Sequence, residues 1–170
     1  GGSGVNGVVT FGTQSSMDRE GAMRITSVAI PQGTTVTSAR ANFYVGSKGA
    51  GTGNCKGIVF GIDEDNTSDF SGGSPMSRTA TSASTTVNIS LPTAGEGFSV
   101  DITAIINEIL GRASWASGNA LAIKFFNQGS PENVYWRDDV ITSDIEITYN
   151  ERAPLIQEDV ILDHGLGYTP

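Results

Sequence analysis

An all-β fold is what this sequence predicts: a single antiparallel β-sandwich, jelly-roll-like, with one short α-helix near residues 102–110. Three observations carry the prediction. Glycine occurs 22 times where average usage of ~7% would give about 12, and only 16% of residues are charged, a profile of short strands joined by Gly-rich turns. Period-2 or β-branched runs recur between Gly, Pro and Asn turn signals. One segment alone changes to the 3.6-residue period of a helix.

At 170 residues the chain suits one domain with a real core. Residues 1–4, Gly-Gly-Ser-Gly, read as a flexible linker. Being neither an initiator Met nor a basic-then-apolar leader, they lead us to expect a chain that is processed, trimmed or part of a longer product. The sandwich is expected over 5–150 and a C-terminal arm over 151–170.

Taken in order, 5–11 is a first strand, and 22–30 is β-branched and ends at the turn Pro31-Gln32-Gly33. The run 35–45 alternates cleanly. It sets Val36, Ser38, Arg40, Asn42 and Tyr44 on a wet face and Thr37, Ala39, Ala41, Phe43 and Val45 on a buried one. A Gly-dense loop (46–54) precedes a strand at 55–63, and the polar stretch 64–84 reads as a long loop of the kind that carries function or subunit contacts. Strands follow at 85–91, 120–126, 134–139 and 143–149, about eight in all, and 97–100 leads directly into the helix.

In the helix, Ile102, Ile105, Ile106, Ile109 and Leu110 form one apolar stripe, with Asn107 and Glu108 expected to face out. Asp101 suits the N-cap and Gly111 a left-handed C-terminal cap. The stripe is expected to cover the sandwich, and Trp115 to plug the gap between the two.

The formal net charge is −8, from 18 acidic and 10 basic residues, and the basic ones are scattered singly, so nucleic acid is not an expected partner. No run of ~18 apolar residues suggests a membrane span. Cys55 is alone, so no internal disulfide can form.

Two stretches, 29–45 and 98–126, carry a resemblance. The first runs Ile-Pro-Gln-Gly into a Thr-Ser-Ala strand; the second has Val-Asp-Ile-Thr, a short helix, Trp-Ala-Ser-Gly-Asn and an Ala-Leu-Ala strand. The chain thereby resembles jelly-roll β-sandwich modules of the DNRLRE type, with related patterns in phage virion proteins and bacterial surface proteins. The resemblance covers roughly residues 22–150. It implies the fold, a virion or surface setting and, in some relatives, polysaccharide binding; it assigns no sugar-contacting residue.

The sequence offers little for catalysis. Its only histidine, His164, lies in the tail, and Gly-x-Ser-x-Gly, His-Glu-x-x-His and Cys-x-x-Cys are absent, so no enzyme is expected. Asp63, Asp65, Thr67 and Asp69 fall at alternating positions in an oxygen-rich loop whose carboxylates Asp63, Asp65 and Asp69 suit a structural Ca²⁺; no cofactor is otherwise required. Tyr44, Tyr135 and Trp136 are the candidates for stacking on a sugar or meeting a partner, and of the adjacent Tyr135 and Trp136 one should point outward. Val160, Ile161 and Leu162 form an apolar run suited to a subunit contact. The expected role is a non-enzymatic structural or adhesive module at a virion surface: a capsid decoration (cement) protein or fibre-head domain, homo-oligomeric and meeting its neighbours through terminal arms. The alternative is a carbohydrate-binding module of a secreted or cell-surface bacterial protein.

Overall fold

The computed structural model describes residues 10–90, 94–138 and 143–150, with backbone alone for 136–138. The expected linker at 1–4, most of the first strand at 5–11 and the arm at 151–170 lie outside the described residues. What remains is a sandwich of two antiparallel sheets. The strands are β1 (Thr10–Gln14), β2 (Met17–Arg19), β3 (Gly21–Ile25), β4 (Val36–Lys48), β5 (Asn54–Ile62), β6 (Ala80–Ser90), β7 (Gly97–Asp101), β8 (Leu121–Asn127), β9 (Tyr135–Asp138) and β10 (Asp144–Tyr149). One helix, α1 (Thr103–Leu110), follows β7 directly.

The long strand β4 organises the six-stranded sheet. Its first half carries β10 on one edge and β7 on the other, since both pair with 40–42, while its second half pairs with β9, which passes on to β1 and β2. The other sheet runs β3-β8-β5-β6. Aromatic rings join the sheets: Phe43 of β4 meets Phe125 of β8 edge-on at 5.1 Å and Phe11 of β1 meets the same ring at 6.1 Å, while within the six-stranded sheet Phe98 of β7 stacks on Phe43 at 5.2 Å. Such pairs add ~0.5–1.5 kcal/mol each beyond the area they bury. Cys55 is fully buried beneath Phe11, with its thiol toward the Phe11 carbonyl and Ser130 Oγ, and burial pushes its pKa up to about 11.

The alternation read in β4 holds from Ala39 to Val45, whose odd-numbered members are buried. It fails at the start, where Val36 is buried and Thr37 exposed. The cause is an irregularity in the pairing with β10: Thr148 faces Ser38, but Tyr149 faces Val36, so Thr37 is an extra residue that shifts the phase by one.

Further corrections concern the edges. Strand β6 begins at Ala80, inside the stretch read as loop; it is an edge strand whose outward positions stay wet, so its Thr/Ser/Ala sequence lacks an apolar signal. β3 stops at Ile25 rather than 30, and β2 was not foreseen.

The helix closes one side of the sandwich. Ile105, Ile106, Ile109 and Leu110 are completely buried, worth roughly 1.5–3 kcal/mol each against exposure. Gly61 of β5 makes room for them, because a Cβ there would stand 2.8 Å from Ile105, Ile109 and Thr81. Asn107 and Glu108 do not face out. The Asn107 amide bonds the Val36 backbone, and the Glu108 carboxylate accepts the Ser82 and Ala83 N–H groups, each at 2.7 Å. The helix thus ties the β4 edge of one sheet to the β6 edge of the other.

Its ends also differ from expectation. Ile102 occupies the N-cap position, although the Asp101 carboxylate accepts the Thr103 N–H at 2.9 Å, and Gly111 is right-handed at φ −75°. The left-handed glycine, Gly118, comes later, after Trp115 has packed at 3% exposure with its indole N–H on the Ile30 carbonyl at 2.9 Å.

Candidate functional site

The outer face of the six-stranded sheet carries a polar row built on β4. On β4, Arg40, Asn42 and Tyr44 alternate with buried Ala41 and Phe43, so all three side chains project from one side of the strand. Asn42 sits at the centre, donating to Asp144 of β10 at 2.8 Å and accepting from Ser99 of β7 at 2.6 Å. Arg40 lies opposite Asp101 and Glu146 in the two neighbouring strands. Asp101 titrates below the usual carboxylate range, chiefly because the Thr103 N–H and hydroxyl donate to it, with Arg40 adding a smaller effect.

Tyr44 ends this row and is 37% exposed, one of two large apolar side chains so open among the described residues; Met17, in the β1–β2 hairpin, is the other. Its register partner on β7 is Gly97, and its hydroxyl lies near Gly95. Glycine presents no side chain, so the strand beside Tyr44 leaves the ring uncovered. A hydrogen-bonded polar row ending in an open aromatic ring is a surface that can meet a sugar or a protein face.

Tyr135 does not join this row. It is half-buried at the far end of β4, where a Cβ on Gly49 would come within 2.7 Å of its ring, so the ring packs on the Gly49 backbone. The Trp136 backbone pairs with Phe11 and Lys48, and its side chain lies outside the described residues, as do Val160, Ile161 and Leu162.

The acidic loop is held by arginines. Arg112, just past α1, pairs with Asp63 and, at 2.8 Å, with Asp65; the Asp65 hydrogen bond is the largest influence holding its own pKa up. Arg24 donates to the Thr67 carbonyl at 2.7 Å, and Arg78 donates to the Ser68 and Asp69 carbonyls and to Glu64. Asp69 turns instead to the hydroxyl and N–H of Ser71, which lower its pKa. The three carboxylates singled out in the sequence therefore do not converge: two meet one guanidinium and the third caps a local turn.

No family model matches the chain, and no curated protein resembles it in sequence.

Two groups of residues escaped sequence reasoning. Arg24, Arg78 and Arg112 are far apart in the chain and share only the acidic loop 63–69, whose carbonyls and carboxylates they meet from β3, the turn before β6 and the end of α1. Lys124 of β8 is 2% exposed and donates from Nζ to the Met76 and Arg78 carbonyls, with the ammonium 5.3 Å from the Phe126 ring. Desolvation lowers its pKa. The only signal for it was a charge inside the apolar run Leu-Ala-Ile-Lys-Phe-Phe.

Proposed function

We propose that this chain is a non-enzymatic structural or adhesive module, in the first instance a component of a virion surface such as a capsid decoration protein or fibre-head domain. The observation that carries this reading is the outer face of the six-stranded sheet, where a polar row locked by the Asn42 hydrogen bonds ends in the uncovered Tyr44 ring. The side chains with the most obvious chemistry serve the fold. Cys55 lies in the core, Lys124 binds backbone carbonyls, and Asp63 and Asp65 hold Arg112. A face preorganised in this way suits rigid contact with a neighbour. The jelly-roll resemblance over 22–150 adds the virion setting.

The test is the solution mass of the full chain by light scattering with and without Ca²⁺, followed by the same measurement on Tyr44→Ala. An oligomer supports assembly, and a Tyr44→Ala chain that no longer binds its assembly partner locates the face.

Tyr44 also favours a second reading, a carbohydrate-binding module of a secreted or cell-surface protein, because an exposed ring beside bonded amide and carboxylate groups is suited to stacking on a sugar. A glycan array on the monomeric chain separates the two readings, since glycan binding lost in Tyr44→Ala selects the second.

A further inference from the structure

The two outer faces of the sandwich differ in charge. The strands of the four-stranded sheet, β3, β5, β6 and β8, contain no Asp or Glu, although the chain carries a net charge of −8. Their charged residues are Arg24, Lys56 and Lys124. Each follows a core residue, Met23, Cys55 or Ile123, and so lies on the side of the sheet turned from the core. Lys56 is exposed, and its ammonium makes no ion pair among the described residues. Beside it runs an apolar strip on the same side. Ile58 stands between Phe126 of β8 and Thr86 of β6, and the Phe60 and Phe126 rings meet edge-on at 5.9 Å; all three apolar side chains are half-buried.

The six-stranded sheet presents the opposite sign where β7 and β10 flank β4. Asp101, Asp144 and Glu146 are exposed there around Arg40, and neither Arg40 nor Glu146 makes an ion pair among the described residues. Contact between the outer faces of two copies has three forms. Six-stranded face on six-stranded face sets these carboxylates against their own copies. Four-stranded face on four-stranded face leaves the Asn42–Tyr44 row out of the contact. The mixed form alone brings opposite charges together and covers that row.

We propose that the polar row of one copy docks on the outer face of the four-stranded sheet of a second copy, with Lys56 among Asp101, Asp144 and Glu146 and the Tyr44 ring on the Ile58–Phe60–Phe126 strip. The proposal rests on the reading that the polar row is the assembly face, and it names the occupant of that face. The spacings match. Asp144 lies opposite Asn42, two residues from Tyr44 on β4, and Lys56 is two residues from Ile58 on β5, so a rise of ~3.3 Å per residue separates charge from apolar contact by about 7 Å on both surfaces. An apolar centre with a polar rim is also the usual anatomy of a protein interface. Because the contact joins unlike surfaces, each copy keeps one of each for its neighbours, and copies related by a closing rotation form a ring.

Charge exchange in the full-length chain tests this. Lys56→Glu and Glu146→Lys should each weaken self-association about tenfold by light scattering over a concentration series, since each turns an attraction into a repulsion. Mixed in equal amounts the two should associate again, because the reversed charge on one chain then faces the reversed charge on the other. Thr86→Glu, at an exposed position beside Ile58, should replace Lys56→Glu in both measurements should that variant fold poorly. Variants that associate as the unchanged chain does, or a mixture no stronger than its parts, would overturn the mixed contact while leaving the assembly reading standing. An unchanged chain that stays monomeric at every concentration would overturn both.

Discussion

Asn107 and Val36 exchange two hydrogen bonds: the Val36 N–H donates to Asn107 Oδ1 at 2.9 Å, and Asn107 Nδ2 donates to the Val36 carbonyl at 3.0 Å. A side-chain amide here does what a neighbouring strand would do, satisfying both backbone groups of an edge residue. Asn107→Ala should destabilise the fold by about 1–3 kcal/mol, because a partly buried donor and acceptor lose their partners together. Asn107→Asp, which keeps only the acceptor, should fall between the two. Urea unfolding of the three chains measures it.

Gly61 stands where α1 presses closest on β5. Gly61→Ala would force a Cβ to within 2.8 Å of three side chains, Ile105, Ile109 and Thr81, none of them a long flexible one. The expected loss is about 1–3 kcal/mol from overpacking, with an unchanged denaturant slope. A substitution that left the midpoint unmoved would show that the helix can retreat.

Cys55 should be silent to thiol reagents in the folded protein. Raising its pKa from 9.0 to about 11 lowers the thiolate fraction near neutral pH roughly a hundredfold, and complete burial adds a steric barrier. Labelling should follow global unfolding, so its rate in rising urea should track the unfolding curve. Fast labelling in buffer would place an opening between β1 and β5.

Among the groups whose pKa shifts on folding, Asp101 and Lys124 act on opposite sides of the pH profile. The folded pKa of Asp101 is depressed by its Thr103 hydrogen bonds, so its contribution is complete above the unfolded value of ~3.9 and is lost as pH falls through the folded one. Asp101→Asn should make the acid limb of stability against pH shallower, with Asp69 still contributing to it. Lys124 has the opposite consequence on the alkaline side. Its folded pKa is lowered by burial, the unfolded chain therefore holds the proton to higher pH, and stability rises between the folded value and ~10.4. Lys124→Met should remove that rise.

How much of this was legible in the sequence differs by element. The β4 pattern from Ala39 to Val45 and the α1 stripe were readable because each buries one face against the core, and burial writes a period into the sequence. Strand β6 was not, since an edge strand with a wet face can be built from Thr, Ser and Ala. Nor were the positions of Asn107 and Glu108. On a helical wheel they are polar and should face water, but α1 lies between two sheet edges that need hydrogen-bond partners. Tyr44 was legible as an outward residue from its alternation, whereas its openness depends on Gly95 and Gly97 of another segment. Asp63 and Asp65 read as cation ligands because the cation that meets them, Arg112, comes from 47 residues or more away in the chain.

The central claim is that the chain works by assembling through preformed surfaces, and the solution mass of the full chain measured by light scattering over a range of concentrations tests it most directly. The account predicts a discrete homo-oligomer, weakened by Tyr44→Ala on the outer face of the six-stranded sheet. A monomer of 17.7 kDa at every concentration would contradict it.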